Sequence, residues 1–197
     1  MATAIINNVG IDGIVTVVPP KRQFFDEDAK RLGISSGLAK RISKSVGLYE
    51  RRVVSPEVTA LDLGEAACRD LLNGLDKDKS EIGFIIFVTQ TSDHPQPCNA
   101  TILHGRLELD TEVGALDVNL GCSGYVYGLY LAATMIKSLE KDVLLIVGDT
   151  LSRQVNSMDR SAGILFGDGA SATLLTFKAN ECMYFDLCSD GTGYESI

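Results

Sequence analysis

Apolar residues in this chain fall into short continuous runs and helical stripes that take turns along the sequence. Ala4 to Val18 is rich in Ile and Val, is interrupted by Gly10 and Gly13, and stops at Pro19-Pro20. It predicts one strand or a bent pair. Asp26 to Arg31 predicts a short helix. Ser35 or Ser36 can cap a second one running to Val46, with Gly47 as its stop. Tyr49 to Val54 predicts a short strand. Thr59 can cap a helix from Ala60 to Leu72 whose Leu63, Ala66, Ala67, Leu71 and Leu72 form one stripe. Gly83 to Thr89 is apolar without a break, the mark of a strand covered on both faces.

A polar loop, Gln90 to Pro97, then precedes a helix from about Asn99 to Leu107. Gly114 to Val118 predicts a strand, followed by a sharp turn and a helix to about Leu139, which is charge-free until Lys137 and so expected to be buried on all sides. Val143 to Val147 is a second fully apolar strand. Ile164–Phe166 and Ala170–Phe177 read as strands flanking a Gly167-Asp168-Gly169 hairpin turn, and Met183 to Leu187 as a last strand. Strands alternating with helices mean an α/β fold. The closing strands follow without a helix between them, so the sheet is expected to be mixed. There is no low-complexity linker and no internal repeat, and the polar, turn-like end from Asp190 to Ile197 does not read as a finished domain edge.

Composition narrows the function classes. The 197 residues suffice for one large domain or two small ones, and 45% hydrophobic with 22% charged residues is an ordinary globular balance. The longest charge-free apolar run, Cys122 to Ile136, is too short to span a bilayer, and the N-terminus has no secretory pattern, so a cytoplasmic location without membrane attachment is expected. The net charge of −8 disfavours nucleic-acid binding. The charge is uneven: residues 1–60 hold nine Lys/Arg against six Asp/Glu, clustered at Lys21-Arg22, at Lys40-Arg41 with Lys44, and at Arg51-Arg52. Such clusters are either solvated positions or a docking face for a phosphate or an acidic partner. Five cysteines without regular spacing argue against a disulfide framework, and two histidines with no Cys-x-x-Cys argue against a metal site.

The candidate chemistry lies in Asn119-Leu120-Gly121-Cys122-Ser123-Gly124-Tyr125. A cysteine attacks as its thiolate, and the first-turn amides of a helix favour negative charge. A Cys between a strand and a helix N-terminus, flanked by glycines that permit close approach, is a candidate nucleophile whose own amide could donate to an oxyanion. The alternative is a small core cysteine. Cys98, after Pro97, is a weaker rival, while Cys68, Cys182 and Cys188 read as core residues. His94 and His104 are not placed beside Cys122 by the sequence, and His104, within a helix, reads as structural.

Several stretches, in order, resemble the thiolase superfamily, and within it the β-ketoacyl-ACP synthase III family. They are Gly47-Leu48-Tyr49-Glu50-Arg51-Arg52, Asp117-Val118 through Cys122-Ser123-Gly124, Gly148-Asp149-Thr150-Leu151-Ser152, Asp159-Arg160, Leu165-Phe166-Gly167-Asp168-Gly169-Ala170 and Ser189-Asp190-Gly191. The resemblance implies a thiolase-like layered α/β fold, with residues 1–197 corresponding to the N-terminal of two similar halves. It implies that Cys122 takes an acyl group from a thioester and condenses it with malonyl-ACP, with loss of carbon dioxide. The catalytic His and Asn of the family would lie in the other half, so this stretch alone is expected to be inactive.

The resemblance also implies no permanently bound cofactor. CoA or phosphopantetheine thioesters would be substrates, acyl carrier protein a partner, and a homodimer the assembly, with its sheet extended across the interface at or near the strand before Cys122. Arg160 matches a CoA-contacting Arg, Arg41 stands where the family commonly stacks adenine on a Trp, and Gln96 stands at an acyl-pocket Phe. A guanidinium can stack on adenine too. The polar Gln96 implies an unusual acyl group or delivery by a carrier protein. Acyl transfer to an alcohol or amine, and a non-catalytic scaffolding half, are the alternatives.

Overall fold

The computed structural model describes residues 2–196. A five-stranded sheet forms its centre, in the order β1 (Ala2–Val17), β7 (Asp168–Leu187), β6 (Asp142–Thr150), β4 (Ile82–Val88), β5 (Gly114–Val118). β5, β4 and β6 are mutually parallel, and β7 runs antiparallel to both of its neighbours. Four of the five strands therefore point one way, the mixed but mostly parallel sheet expected from the sequence. A small ribbon pairs β2 (Arg22–Phe24) with β3 (Glu50–Arg52).

Helices cover both faces. On one side α3 (Ala60–Gly74) and α4 (Asn99–Arg106) bury Leu61, Leu71, Leu103 and Cys68 against Ile85, Phe87, Leu144 and Ile146. On the other, α5 (Gly124–Leu139) packs Ala132, Ala133 and Ile136 on Ile86, Val88, Val143 and Leu145. The unbroken apolar runs of β4 and β6 follow from this arrangement, since every side chain of a doubly covered strand leaves water. Thr59 caps α3, as its sequence suggests, and the structure adds a reciprocal capping box with Asp62. α1 (Phe25–Arg31) and α2 (Ser36–Val46) form a smaller cluster around Phe25, Ala29, Leu32, Ala39 and Ile164, and Gly47 ends α2 in the left-handed region at φ 74°.

Three expectations need correction. Ile164–Phe166 is a turn, not a strand, and Gly167-Asp168-Gly169 is not a hairpin. The Asp168 carboxylate accepts from the amides of Val54 (2.8 Å) and Ser152 (2.9 Å), and Ile164 drops into the α1–α2 cluster instead of pairing. The two strands expected after it are one, because β1 pairs with β7 along nearly its whole length, with register shifts at Asn7/Val9 and Ile11/Gly13. Finally, α5 is buried along one stripe only; Val126 and Leu139 are exposed, because among the described residues only the sheet side of this helix is covered. No helix is long and apolar enough to cross a membrane among the described residues.

Candidate active site

Parallel β strands deliver their C-terminal ends to one edge of the sheet, where α/β proteins place their chemistry. Here the ends of β4 and β5 lead into Thr89 and Asn119, and Asp149 is the next-to-last residue of β6. Cys122 follows β5 and is exposed. The Gly124 amide donates to the Gly121 carbonyl at 2.8 Å, which closes a turn around the thiol. The helix begins at Gly124 with Ser123 as its N-cap, so Cys122 stands just ahead of the helix rather than in its first turn. The Cys122 and Ser123 amides donate to no acceptor among the described residues.

The other cysteines separate by environment. Cys68 is buried in α3, and burial pushes its thiol well above the ordinary range, which makes it inert. Cys98 is half-buried, with its sulfur 3.1 Å from the Thr101 hydroxyl at the head of α4. Cys182 and Cys188 are exposed rather than core. At the outer end of β7 burial alternates: Met183, Phe185 and Leu187 pack towards α5, Cys182 points to the opposite, uncovered face, and Cys188 follows the last strand residue. His104 Nε2 donates to the Asp110 carbonyl at 2.8 Å and fastens the end of α4, a structural role.

The sequence did not single out the clamp beside Cys122. One oxygen of Asp149 accepts from the Gln90 amide (2.7 Å), the Thr91 amide (3.1 Å), and the Thr89 (2.9 Å) and Thr91 (3.0 Å) hydroxyls. Thr91 in turn accepts from the Thr150 amide at 3.0 Å. This pins the turn after β4 to the end of β6. It sets the Gln90 side chain so closely over Gly121 that a Cβ there would stand 3.0 Å from the carboxamide carbon, nitrogen and oxygen. The available signal was a polar Thr-Gln-Thr at the end of an apolar strand, facing an Asp at the end of the next parallel one.

The remaining site residues divide into two groups. Gln96 is exposed in the loop after β4 and lines a cavity of about 520 Å³ together with Gln90 and Asn119, close to the Cys122 turn. Arg160 is exposed and donates from Nη2 to the Leu32 carbonyl at 3.1 Å, against the connection between α1 and α2. Arg41 is exposed on α2. No hydrogen bond or ion pair among the described residues joins Arg41 or Arg160 to Gln96 or Cys122. Two guanidinium groups hold the loop that carries Arg160. Arg51 donates to the carbonyls of Phe166 (2.6 Å) and Gly163 (2.9 Å), Arg31 to that of Ser157, and both pair with the buried Asp28.

A family model described as 3-oxoacyl-(acyl-carrier-protein) synthase III matches residues 116–191. A β-ketoacyl-(acyl-carrier-protein) synthase III 2 of Halalkalibacterium halodurans is 32% identical over 189 residues, covering 94% of this chain and 56% of that protein. A β-ketoacyl-(acyl-carrier-protein) synthase III of Campylobacter curvus is 37% identical over 154 residues, 77% of this chain and 46% of that protein. The crystal structure of a 3-oxoacyl-(acyl-carrier protein) synthase from Burkholderia xenovorans LB400 superimposes with a TM-score of 0.93 at 33% identity, over 98% of this chain and 55% of that one. The chain spans about half the length of the curated relatives it matches. By motif order, sequence and fold, it belongs to the thiolase-like 3-oxoacyl-ACP synthase III family.

Proposed function

We propose that this chain is the nucleophile-bearing, N-terminal half of an acyltransferase that makes a carbon–carbon bond by decarboxylative condensation of an acyl thioester with malonyl-ACP, in fatty-acid or related biosynthesis. The observation that carries the reading is the exposed Cys122 in a glycine-flanked turn between β5 and α5, with its own amide free for an oxyanion. The Cys122 sulfur attacks the thioester carbonyl carbon, the carbon–sulfur bond to CoA or phosphopantetheine breaks, and the released thiol carries off the proton that Cys122 gives up. The acyl group then passes to the carbanion left when malonyl-ACP loses carbon dioxide, which frees Cys122. The other half of the enzyme would supply the groups that stabilise that carbanion.

The test is to incubate the full-length protein with radiolabelled acyl-CoA or acyl-ACP and map the label. It is expected on Cys122 and absent from Cys122→Ala. A label elsewhere, or one that survives the substitution, would falsify the reading. Product analysis with and without malonyl-ACP separates condensation from transfer to an alcohol or amine.

Arg160, beside the α1–α2 connection, and Arg41, on α2, are assigned to the CoA or carrier phosphopantetheine, and Gln96 to the acyl pocket. Lys40, Arg41 and Lys44 stand exposed on α2 without an ion-pair partner among the described residues. Positive charge left free on a chain of net charge −8 suits docking of an acidic carrier protein. Lys40→Glu with Arg41→Glu is expected to weaken carrier binding about tenfold or more at low salt. Unchanged affinity in a titration at low ionic strength would count against it.

Among the described residues β5 is an edge strand bonded only to β4, which supports a homodimer joined along it. Sedimentation of the full-length protein as a monomer at micromolar concentration would sink that part. The five cysteines are all free, the state a reducing compartment maintains, and this favours the cytoplasm.

A further inference from the structure

Gln90 is an exposed polar side chain that lines a cavity with Gln96 and with Asn119, three residues before Cys122. Its backbone is anchored, because Asp149 holds the amides of Gln90 and Thr91 and the hydroxyls on both sides. Its carboxamide lies over Gly121, with its carbon, nitrogen and oxygen each 3.0 Å from where a Cβ would be. Glycine at position 121 lets the carboxamide sit this close; beside an alanine methyl the Gln90 side chain would have to give by a few tenths of an ångström. The next residue is Cys122, whose Cα is about 3.8 Å from that of Gly121 across one peptide unit. A carboxamide offers two donors and one acceptor, and none of them is used within the protein among the described residues.

We propose that Gln90 makes the enzyme select acyl groups bearing an oxygen near the thioester, 3-hydroxyacyl above all, over plain alkyl chains. This rests on the reading of Cys122 as the acyl-carrying nucleophile. An alkyl chain laid from the Cys122 sulfur past Gly121 covers the carboxamide and removes its water without replacing the lost hydrogen bonds. A hydroxyl on the third carbon can both donate to the amide oxygen and accept from the amide nitrogen. A site built to bond a substrate hydroxyl discriminates strongly against the analogue that lacks it, because its own polar groups are then left unpaired. The side chain is exposed and its amide, not its carboxamide, is the group Asp149 holds, so replacing it leaves the anchoring of the turn intact.

The test uses the full-length protein with 3-hydroxybutyryl-CoA and butyryl-CoA, and follows the Cys122 acyl-enzyme by intact mass. The 3-hydroxybutyryl adduct is expected to form about tenfold faster or more. In Gln90→Leu the preference is expected to fall to about one or reverse, with the thermal midpoint unchanged, and in Gln90→Asn to be partly kept. Equal rates in the wild type, or a preference that Gln90→Leu does not move, would overturn the assignment of Gln90 while leaving the nucleophile standing. Failure of both thioesters and of acyl-ACP to load Cys122 would overturn both.

Discussion

Asp28→Ala is expected to lower the stability of the folded chain by about 3 kcal/mol. At roughly 2–4 °C per kcal/mol for a chain of this length, the thermal midpoint should fall by about 10 °C. The Asp28 side chain is 1% exposed and pairs with Arg31 Nη2 at 2.6 Å and Arg51 Nη2 at 2.8 Å. The Arg51 side chain is itself only 11% exposed. Removing the carboxylate leaves a buried guanidinium without its counter-charge, and that loss, rather than the net worth of the pair, sets the cost. The effect reaches the loop that carries Arg160, because Arg31 and Arg51 hold its Ser157, Gly163 and Phe166 carbonyls. Limited proteolysis of Asp28→Ala should cut within residues 154–167 sooner than in the wild type. Asp28→Leu combined with Arg51→Met should cost less than the two single changes added, since the buried charges then leave together. A midpoint within about 2 °C of wild type for Asp28→Ala would dispose of this account.

Asp149→Ala should act closer to the thiol. It removes one oxygen that accepts four hydrogen bonds, two of them from backbone amides. Hydrogen bonds to a charged acceptor contribute about 1.5–3 kcal/mol each, so the exchange of the Gln90 and Thr91 amides should speed up by roughly tenfold to a hundredfold. Acylation of Cys122 should slow, because the turn that sets Gln90 over Gly121 is no longer fixed. Asp149→Asn keeps an acceptor oxygen without the charge, and its exchange rates should fall between. A merely local packing role would slow acylation without touching those two amides, so unchanged exchange in Asp149→Ala would remove Asp149 from the list of positioning residues.

Much of the fold was legible because burial imposes period. The runs at Gly83–Thr89 and Val143–Val147 are apolar at every position since helices cover both faces of β4 and β6. Thr59 and Gly47 marked helix ends because caps are satisfied locally, within a few residues. Ile164–Phe166 failed as a strand for the opposite reason. An apolar triplet does not say whether its partner is a neighbouring strand or a distant helix pair, and Ile164 is buried by α1 and α2, more than a hundred residues earlier. Cys182 and Cys188 likewise have the residue type of core positions, but Cys182 points to the face of β7 opposite the buried Phe185, and Cys188 lies just past the strand.

By itself the sequence determined the layered α/β class, the strand–turn–helix around Cys122 and the family whose motifs it carries in order. All of these are local patterns, written in consecutive residues. Tertiary structure alone decided that Asp149, at the end of β6, holds the turn after β4 with Gln90 close over Gly121, and that Asp28 gathers Arg31 and Arg51 to hold the loop bearing Arg160. Those links join residues far apart along the chain. They exist only once neighbouring strands are in register and a carboxylate leaving water has found enough donors to replace it.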